Sequence, residues 1–143
     1  MGQELQVICD CGYSAKALCG SSRRQYGHVF NYPHRCKSCD QVVTIDVLSS
    51  SHLCPSCGSH DVVAYGKSLP CKPRGTLFTK LFDSFSRKAV GDYNEAYSAL
   101  LRNIVGQGFC SATNTMYGMP DQNQLCPSCK MVTLRFGIAT LYD

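Results

Sequence analysis

Eight of the eleven cysteines lie in four short turns with the spacing of metal-binding thiolates. Cys36 and Cys39 form one Cys-x-x-Cys turn, and Cys54 and Cys57 form a second one after fourteen intervening residues. Each turn can present two sulfurs from a tight loop, and zinc(II) takes four thiolates tetrahedrally. These four cysteines therefore predict a closed zinc site, which holds structure and leaves no coordination position open for catalysis.

A second set of four cysteines is split between the two ends of the sequence. Cys126 and Cys129 repeat the Cys-Pro-Ser-Cys turn of residues 54 to 57 but have no neighbouring turn in sequence. Their nearest partner by chemistry is the Cys-x-Cys-Gly turn that contains Cys9 and Cys11. This pairing predicts a second zinc ion that brings the two ends of the chain together.

Three cysteines lie outside these two sets, and their roles stay open. Cys19 or His28 could replace one ligand of the second set. Cys71 and Cys110 come into the same neighbourhood if the two helices predicted below pack antiparallel. Simple burial as small apolar residues, a redox pair and a third metal site are the alternatives for them.

Cysteine usage indicates a reducing compartment, and hydropathy indicates no membrane-spanning segment. The cysteine count is odd and several cysteines lie in Cys-x-x-Cys turns, which favours metal over a disulfide framework. The sequence starts with no basic segment followed by a long apolar run, and no stretch reaches the roughly 18 apolar residues that span a bilayer. We therefore expect a cytoplasmic protein without a membrane partner.

The formal charge of +4 says little about the partner, because it counts the cysteines as neutral. A zinc ion with four thiolates carries a net charge of −2, so two such sites bring the total to about zero. The local charge is more informative. Residues 20 to 39 contain four basic residues and no acid, and residues 67 to 88 contain six basic residues and one acid. Such stretches are typical of surfaces that contact anions.

Strands are predicted around the metal turns. Residues 4 to 19 have the pattern of a strand, a Cys-x-Cys-Gly turn and a second strand. The Val- and Ile-rich residues 41 to 48 predict a strand leaving the first Cys-x-x-Cys turn, and residues 61 to 65 predict one leaving the second. A last strand is expected over residues 131 to 142.

Helices are predicted after Pro70, where the composition changes. Residues 76 to 90 and 92 to 105 place apolar side chains at the i, i+3, i+4 spacing of amphipathic helices. Glycines at 106 and 108 are expected to end the second helix. Residues 111 to 124 are expected to form a polar loop.

Aromatic and histidine side chains occupy every second position from Tyr26 to His34. This period of two predicts an extended segment with one aromatic face. With the adjacent basic residues, the face could hold single-stranded nucleic acid by stacking on bases and contacting phosphates. The alternative is an edge strand whose aromatic face packs on the helix pair. The candidate nucleic-acid-binding residues are Arg23, Arg24, Tyr26, Phe30, Tyr32, Arg35 and Lys37.

Enzymatic motifs are missing from the sequence. It lacks the Gly-x-x-x-x-Gly-Lys phosphate loop, the His-Glu-x-x-His helix and the Gly-x-Ser-x-Gly elbow. His34, His52 and His60 lie next to the cysteines of the first set, which favours a role as ligands or ligand supports over general base catalysis. The sequence therefore favours a non-enzymatic protein, with no small-molecule substrate evident.

Residues 36 to 65 resemble a known group of metal-binding domains. Arg-Cys-Lys-Ser-Cys, a Val/Ile strand and Cys-Pro-Ser-Cys-Gly-Ser-His follow one another, as in the zinc-ribbon or rubredoxin-like domains of small bacterial proteins. The resemblance covers about a fifth of the chain and implies a bound metal. Ribbons of this kind serve in transcription factors, ribosomal proteins, enzymes and adaptors, so it implies no single role. Hydrogenase nickel metallochaperones contain similar paired turns, but this chain lacks their Met-His-Glu start.

These patterns predict an α+β fold in which zinc-ribbon hairpins surround an antiparallel pair of helices. We expect three parts within one compact unit. They are a split zinc-binding unit of residues 1–19 and 125–143, a zinc ribbon with an aromatic and basic lead-in at 20–69, and the helical pair with its polar loop at 70–124.

The expected function is that of a binding or adaptor protein stabilised by two Zn²⁺ ions, with nucleic acid or a nucleic-acid-handling protein as partner. One alternative is a protein assembly subunit without nucleic-acid contact, which would use Met116, Tyr117 and Met119 in the polar loop. Another is a metal-handling or thiol-redox protein, whose labile thiols would be Cys19, Cys71 or Cys110.

Overall fold

The computed structural model describes residues 2–70 and 104–142, and most elements in these ranges are β-strands. Strands β1 (Gly2–Cys9) and β2 (Ser14–Cys19) come first, followed by a 3-10 turn (Arg23–Gln25). The first range continues with β3 (Asn31–Cys36), β4 (Gln41–Asp46), β5 (Val62–Ala64) and β6 (Lys67–Pro70). The second range contains β7 (Ile104–Cys110), β8 (Thr115–Pro120), β9 (Gln124–Leu125) and β10 (Val132–Tyr142).

These strands form three antiparallel sheets. A four-stranded sheet has the order β2-β1-β10-β9, and two three-stranded sheets have the orders β4-β3-β5 and β6-β8-β7. The strands expected at residues 4–19, 41–48, 61–65 and 131–142 are confirmed with small changes in their bounds. No helix within the described residues is long and apolar enough to cross a membrane.

The four-stranded sheet joins the two ends of the described chain. Strand β1 pairs with β10 from Gly2 opposite Tyr142 to Cys9 opposite Leu134, with one register shift after Glu4. Alternate side chains of β1 are buried, since Leu5 and Val7 have no exposed surface. The pairing therefore carries the Cys9 turn to the same edge as the turn between β9 and β10.

Two aromatic side chains, at the residue before β3 and within β3, are buried in the core. Phe30 and Tyr32 are 2% and 1% exposed, and both rings pack on Tyr117 of β8 with centroid separations of 4.9 and 5.0 Å. The hydroxyl of Tyr32 donates to the carbonyl of Gly118 at 3.1 Å, which satisfies its polar atom inside the core.

Backbone-to-side-chain hydrogen bonds connect the four-stranded sheet to the β4-β3-β5 sheet. The N–H of Val42 donates to the hydroxyl of Tyr13 at 2.9 Å, and the N–H of Leu18 donates to Thr44 Oγ1 at 3.0 Å. A β-bridge between Gly20 and Asn31 continues this contact. The two sheets that carry the cysteine turns are therefore held against each other by directional bonds as well as by apolar packing.

The predicted α+β fold is wrong. The described residues form antiparallel sheet, and their helical structure is confined to the three-residue 3-10 turn. The segment 76–90 and residues 92–103 lie outside the described residues, but 104 and 105, expected at the end of the second helix, begin β7. The division of the chain into the three parts proposed above stays a prediction.

Glycine explains the wrong assignment around residue 105. Gly106 and Gly108 were interpreted as the end of a helix, whereas both lie inside β7. A Cβ atom at Gly108 would lie 2.8 Å from Phe30 Cζ, and one at Gly106 would lie 3.1 Å from a methyl carbon of Leu5. The glycines therefore mark a close approach of β7 to the core, which is the other common meaning of glycine in an extended segment.

Two further expectations are corrected. Residues 111 to 124 are not a loop throughout, because β8 and the start of β9 fall within them. Strand β8 lies between β6 and β7, and ladder hydrogen bonds on both sides offset the weak strand preference of its Gly and Pro. Strand β3 is a central strand, not an edge strand, and its aromatic residues pack on β8.

Gly66 offers a test of the packing between β3 and β8. Gly66 and Gly58 both have φ of +71°, but a Cβ at Gly66 would lie 2.4 Å from the Tyr32 hydroxyl and 2.6 Å from the Gly118 carbonyl oxygen, whereas Gly58 has nothing within 4 Å. Gly58→Ala should cost about 1–2 kcal/mol for the left-handed backbone alone. Gly66→Ala should cost about 1–3 kcal/mol more. Urea unfolding of the two variants checks this, and equal losses would contradict the described packing.

Candidate metal centres

The cysteines of the first predicted set form one cluster, which we call site 1: Cys36, Cys39, Cys54 and Cys57. Their sulfur atoms all lie within 4.8 Å of one another. The Sγ atoms of Cys36 and Cys57 are 3.6 Å apart, and those of Cys39 and Cys54 are 3.7 Å apart. The turn between β3 and β4 supplies two of the sulfurs, and the loop that leads into β5 supplies the other two.

The second predicted set also forms one cluster, which we call site 2: Cys9, Cys11, Cys126 and Cys129. These sulfurs again lie within 4.8 Å of one another. The Sγ atoms of Cys9 and Cys129 are 3.7 Å apart, and those of Cys11 and Cys126 are 3.9 Å apart. The β1–β2 turn and the β9–β10 turn meet here because β1 pairs with β10.

The sulfur separations match the edges of a metal-centred tetrahedron. A zinc ion with Zn–S bonds of about 2.3 Å places its sulfurs about 3.8 Å apart. The four separations of 3.6 to 3.9 Å agree with that value. They are far longer than the roughly 2.05 Å of a disulfide. Each cluster could therefore hold one metal ion with the protein supplying all four ligands.

A left-handed residue follows the last cysteine of each turn. The φ angles are +89° at Gly12, +51° at Asp40, +71° at Gly58 and +60° at Lys130. This conformation turns the chain sharply after the second sulfur, so that both sulfurs of a turn face the same side. Glycine adopts it without strain, whereas Asp40 and Lys130 do so at a cost.

The two Cys-Pro-Ser-Cys turns share one hydrogen-bond pattern. In site 1, the N–H of Gly58 donates to the carbonyl of Cys54 at 2.8 Å, and the N–H of Cys54 donates to the carbonyl of Ser59 at 2.9 Å. In site 2, the N–H of Lys130 donates to the carbonyl of Cys126 at 3.1 Å, and the N–H of Cys126 donates to the carbonyl of Met131 at 2.8 Å. The same local sequence therefore folds into the same turn in both sites.

Backbone N–H groups aimed at sulfur favour the thiolate form of two cysteines. For Cys9, the N–H of Cys11 and then the hydroxyl of Thr133, 3.1 Å from the sulfur, lower the thiol pKa to about 6. For Cys54, burial raises the pKa, but the N–H groups of Ser56 and Cys57 outweigh it and bring the pKa to about 7. Thiolate is the form that binds metal.

Other sulfurs in the same clusters are held in the thiol form. Burial and then the neighbouring sulfurs raise the pKa of Cys39 to about 12, and burial raises that of Cys126 to about 11. Burial removes a charged sulfur from water, and hydrogen bonds between sulfurs keep the proton on Cys39 and Cys126. A divalent ion stabilises four thiolates in this volume, so metal binding at either site should release protons.

Contacts between the two sites tie them into one frame. Asp40, which follows the last cysteine of a site 1 turn, forms an ion pair with Lys130, which holds the same position in a site 2 turn. Tyr65, next to β5, donates its hydroxyl to the carbonyl of Leu125 at 3.1 Å and packs on Phe136 at 5.1 Å. Because the ion pair is half exposed, the Tyr65 contacts should contribute more of the coupling.

The histidines belong to neither cluster, and neither does Cys19. His34 is buried, donates from Nδ1 to the Tyr32 carbonyl at 2.9 Å, and has its pKa lowered by that burial. Nε2 of His52 lies 3.3 Å from the carbonyl oxygen of Val47, while His60 and His28 are exposed. Replacement of a site 2 ligand by Cys19 or His28 is therefore wrong for this structure.

The remaining thiols differ from the labile thiols that a redox protein would need. Cys19 is fully buried, and burial raises its pKa to about 12. Cys110 is 2% exposed. Cys71 lies outside the described residues, so its pairing with Cys110 stays a prediction.

The residues predicted to bind nucleic acid do not all lie on one exposed surface. The rings of Phe30 and Tyr32 are buried and closed to a base, which corrects the stacking role expected for them. Tyr26 is 56% exposed, and Arg23 and Arg24 are exposed beside it on the 3-10 turn.

Two of the predicted basic residues lie at the other end of β3. Arg35 is half-buried, and Lys37 forms an exposed ion pair with Asp61 at 3.3 Å. The 3-10 turn precedes the Asn31 end of β3, whereas Arg35 and Lys37 flank Cys36 at its other end. One continuous face over residues 23 to 37 is therefore not what the fold presents.

The apolar residues expected on a polar loop lie in β8 instead. Met119 is fully buried, and Tyr117 packs on the rings of Phe30 and Tyr32. Met116 is half-buried in the same strand. This finding corrects the exposed contact surface that the assembly-subunit alternative required.

Sequence reasoning missed the groups that support the sulfurs. Thr133 Oγ1 lies 3.1 Å from the sulfur of Cys9 and 3.8 Å from that of Cys129. The hydroxyls of Ser38 and Ser59 hydrogen-bond at 2.7 Å between the two turns of site 1. Each lies within four residues of a ligand in sequence, so a search for hydroxyl side chains close to the cysteine turns could have found them.

Comparison of the chain with protein-family models, with curated proteins and with solved structures gave no match.

Removal of one site 1 ligand should unfold the sheet β4-β3-β5. Cys54→Ser is expected to lose one metal ion and much of the stability of that sheet, since structural zinc contributes on the order of 10 kcal/mol in small zinc-binding peptides. Metal analysis together with thermal unfolding measures both effects. Cys110→Ala, at a buried cysteine outside the clusters, is the control that should keep both ions. A Cys54→Ser protein with its full metal content and an unchanged melting temperature would contradict site 1.

Tyr65 should make stability depend on alkaline pH. Burial raises its pKa, partly offset by the charge of Arg35, so the folded protein holds the phenol neutral. The unfolded phenol ionises near pH 10, so the stability linked to this proton is complete below about pH 10 and is lost as the pH rises further.

Tyr65→Phe should lose about 1 kcal/mol at pH 7, from the hydrogen bond to Leu125, and should show a shallower fall of stability above about pH 10. Urea unfolding at a series of pH values measures both quantities. Tyr26→Phe, at an exposed ring, is the control for the loss at pH 7. A mutant curve parallel to that of the wild type would rule out this linkage.

Proposed function

We propose that the protein binds one zinc ion in each four-cysteine cluster and that these ions hold the β-scaffold of a binding or adaptor protein. The observation that carries this proposal is the set of sulfur separations of 3.6 to 3.9 Å at two independent clusters. A four-thiolate site has no open coordination position, so the ion supplies structure, not catalysis.

The ligand set narrows the choice of metal. Four thiolates in a tetrahedron are typical of zinc or of iron, because soft sulfur ligands disfavour magnesium and calcium. Zinc has no redox chemistry, which fits turns built into a structural frame between strands. Iron would instead make the protein an electron carrier, in line with the metal-handling or redox alternative, and metal analysis separates the two.

The short strands beside the cysteine turns give a structural reason for a bound metal. Strands β5 and β9 are three and two residues long, and each lies beside a cysteine turn. Such short strands gain little from their own ladders. We infer that the register of β5 on β3 and of β9 on β10 comes mainly from the ligands that each turn contributes.

Nucleic acid is the partner that we propose for this scaffold. The support is the exposed pair Arg23 and Arg24 beside the exposed ring of Tyr26, within a stretch of twenty residues that contains no acid.

A protein partner is the second candidate, and a separate observation favours it. Exposed apolar side chains lie on β1, on β10 and on the residue before β10. Exposed apolar side chains mark protein contacts where they group into a patch. These residues are Ile8, Met131, Val132, Ile138 and Leu141, with exposures of 51% to 62%.

Metal content and thiol reactivity of the wild-type protein test the zinc proposal together. We expect two zinc ions per chain, with the eight cluster cysteines slow to react with a thiol reagent until a chelator is added. Buried Cys19 and Cys110 should stay unreactive in the folded, metal-loaded protein. Iron in place of zinc, or cluster thiols that react at once, would contradict the structural role.

A further inference from the structure

A cleft opens between the 3-10 turn region and β7. Its walls come from two separate segments, residues 20–30 and residues 108–109, and it encloses about 170 Å³. A narrower depression continues from it along Leu48 and Ser111. The lining residues of the cleft are Gly20, Ser21, Tyr26, Phe30, Gly108 and Phe109.

The volume of the cleft fits a single aromatic group. Pockets that enclose a drug-sized molecule measure about 300–1,000 Å³, so this cleft is too small for one. A buried apolar cavity of about 150 Å³ accepts benzene. A planar aromatic group of roughly that size can therefore enter the cleft, with the rest of its molecule outside.

Two of the aromatic side chains that line the cleft are exposed to solvent. Tyr26 is 56% exposed and Phe109 is 39% exposed, whereas Phe30 also lines the cleft but is only 2% exposed. Gly108 keeps the opening clear, because a Cβ there would lie 2.8 Å from Phe30 Cζ and 3.3 Å from Gly20 Cα. Tyr26 and Phe109 are thus the rings available for stacking, and Phe109 was not among the residues singled out from the sequence.

The charge around the cleft favours an anionic molecule. Arg23 and Arg24 are exposed on the 3-10 turn, three and two residues before Tyr26. Among the described residues, those that line the cleft include no acid. The Ser21 hydroxyl donates to the carbonyl of Val29, so this hydroxyl of the cleft lining already has a partner. Aromatic walls with adjacent guanidinium groups and few polar contacts are typical of sites that bind single-stranded nucleic acid with little sequence preference.

From this geometry we propose that the cleft takes one unpaired base of a single-stranded nucleic acid, stacked on Tyr26 and Phe109, while Arg23 and Arg24 contact the flanking phosphates. This inference rests on the nucleic-acid partner proposed above and assigns it a site. Base pairing would keep the base inside a duplex, so the cleft should favour single strands.

Fluorescence anisotropy with a labelled oligothymidylate of about twelve nucleotides tests the site on the zinc-loaded full chain. Phe109→Ala and Tyr26→Ala should each weaken binding roughly 5- to 150-fold, which is the range for loss of one base–aromatic stack. Phe109→Tyr keeps a ring and should retain wild-type affinity. The double variant Arg23→Ala/Arg24→Ala should lower the slope of log affinity against log salt by about 1.4.

Matched controls separate binding from folding. Leu141→Ala removes an exposed apolar side chain of β10 outside the cleft and should bind like the wild type. Zinc content and circular dichroism show whether each variant is folded. Tyr26→Leu and Phe109→Leu remove only the ring character and replace the alanine variants if those do not fold.

Two results would overturn the inference, and they have different consequences. If the two-zinc wild type does not bind the oligonucleotide, both the cleft and the nucleic-acid partner are wrong, while the zinc scaffold stands. If the wild type binds but the Tyr26 and Phe109 variants bind equally well, or if a duplex of the same length binds as tightly as the single strand, only the cleft is wrong.

Discussion

The grouping of eight sulfur atoms into two clusters of four, with all sulfurs of a cluster within 4.8 Å of one another, is the constraint on which the rest of this structure depends. Burial and the hydrogen bonds between sulfurs raise the pKa values of Cys39 and Cys126, so without a cation these two sulfurs keep their protons. A divalent cation stabilises the thiolate form of all four sulfurs in a cluster. The free energy of binding the ion then becomes free energy of folding, because the cluster exists only in the folded chain.

The two clusters lie in sheets that contact each other. Site 2 lies where β1 and β10 bring two cysteine turns together, and site 1 lies between the β3–β4 turn and the loop before β5. Tyr65 joins these sheets, through its hydrogen bond to Leu125 and its contact with Phe136. Loss of either ion should therefore loosen the core around Tyr32, to which both sheets contribute. Phe30, which lines the cleft together with Gly108 and Phe109 of β7, lies in that same core.

The chemistry of the cysteine turns made both clusters predictable, including the long-range pairing of the Cys9 and Cys126 turns, whereas the packing of β7 and β3 in the core did not follow from the sequence. The spacing of Cys36, Cys39, Cys54 and Cys57 and the repeated Cys-Pro-Ser-Cys turn were enough to group all eight sulfurs as the structure has them. The meaning of Gly106 and Gly108 depended on Leu5 and Phe30, about a hundred and about eighty residues away, so local pattern assigned them to the end of a helix. Period-two aromatics in β3 predicted an aromatic face but could not say whether core or solvent would cover it.

Zinc K-edge X-ray absorption of the purified protein tests the central claim most directly. The account predicts a first shell of four sulfurs per zinc at about 2.3 Å, with no nitrogen or oxygen ligand. A first shell that contains nitrogen or oxygen, or that averages fewer than four sulfurs, would contradict it, because at least one of the two clusters would then not be the four-thiolate site on which the fold is argued to depend.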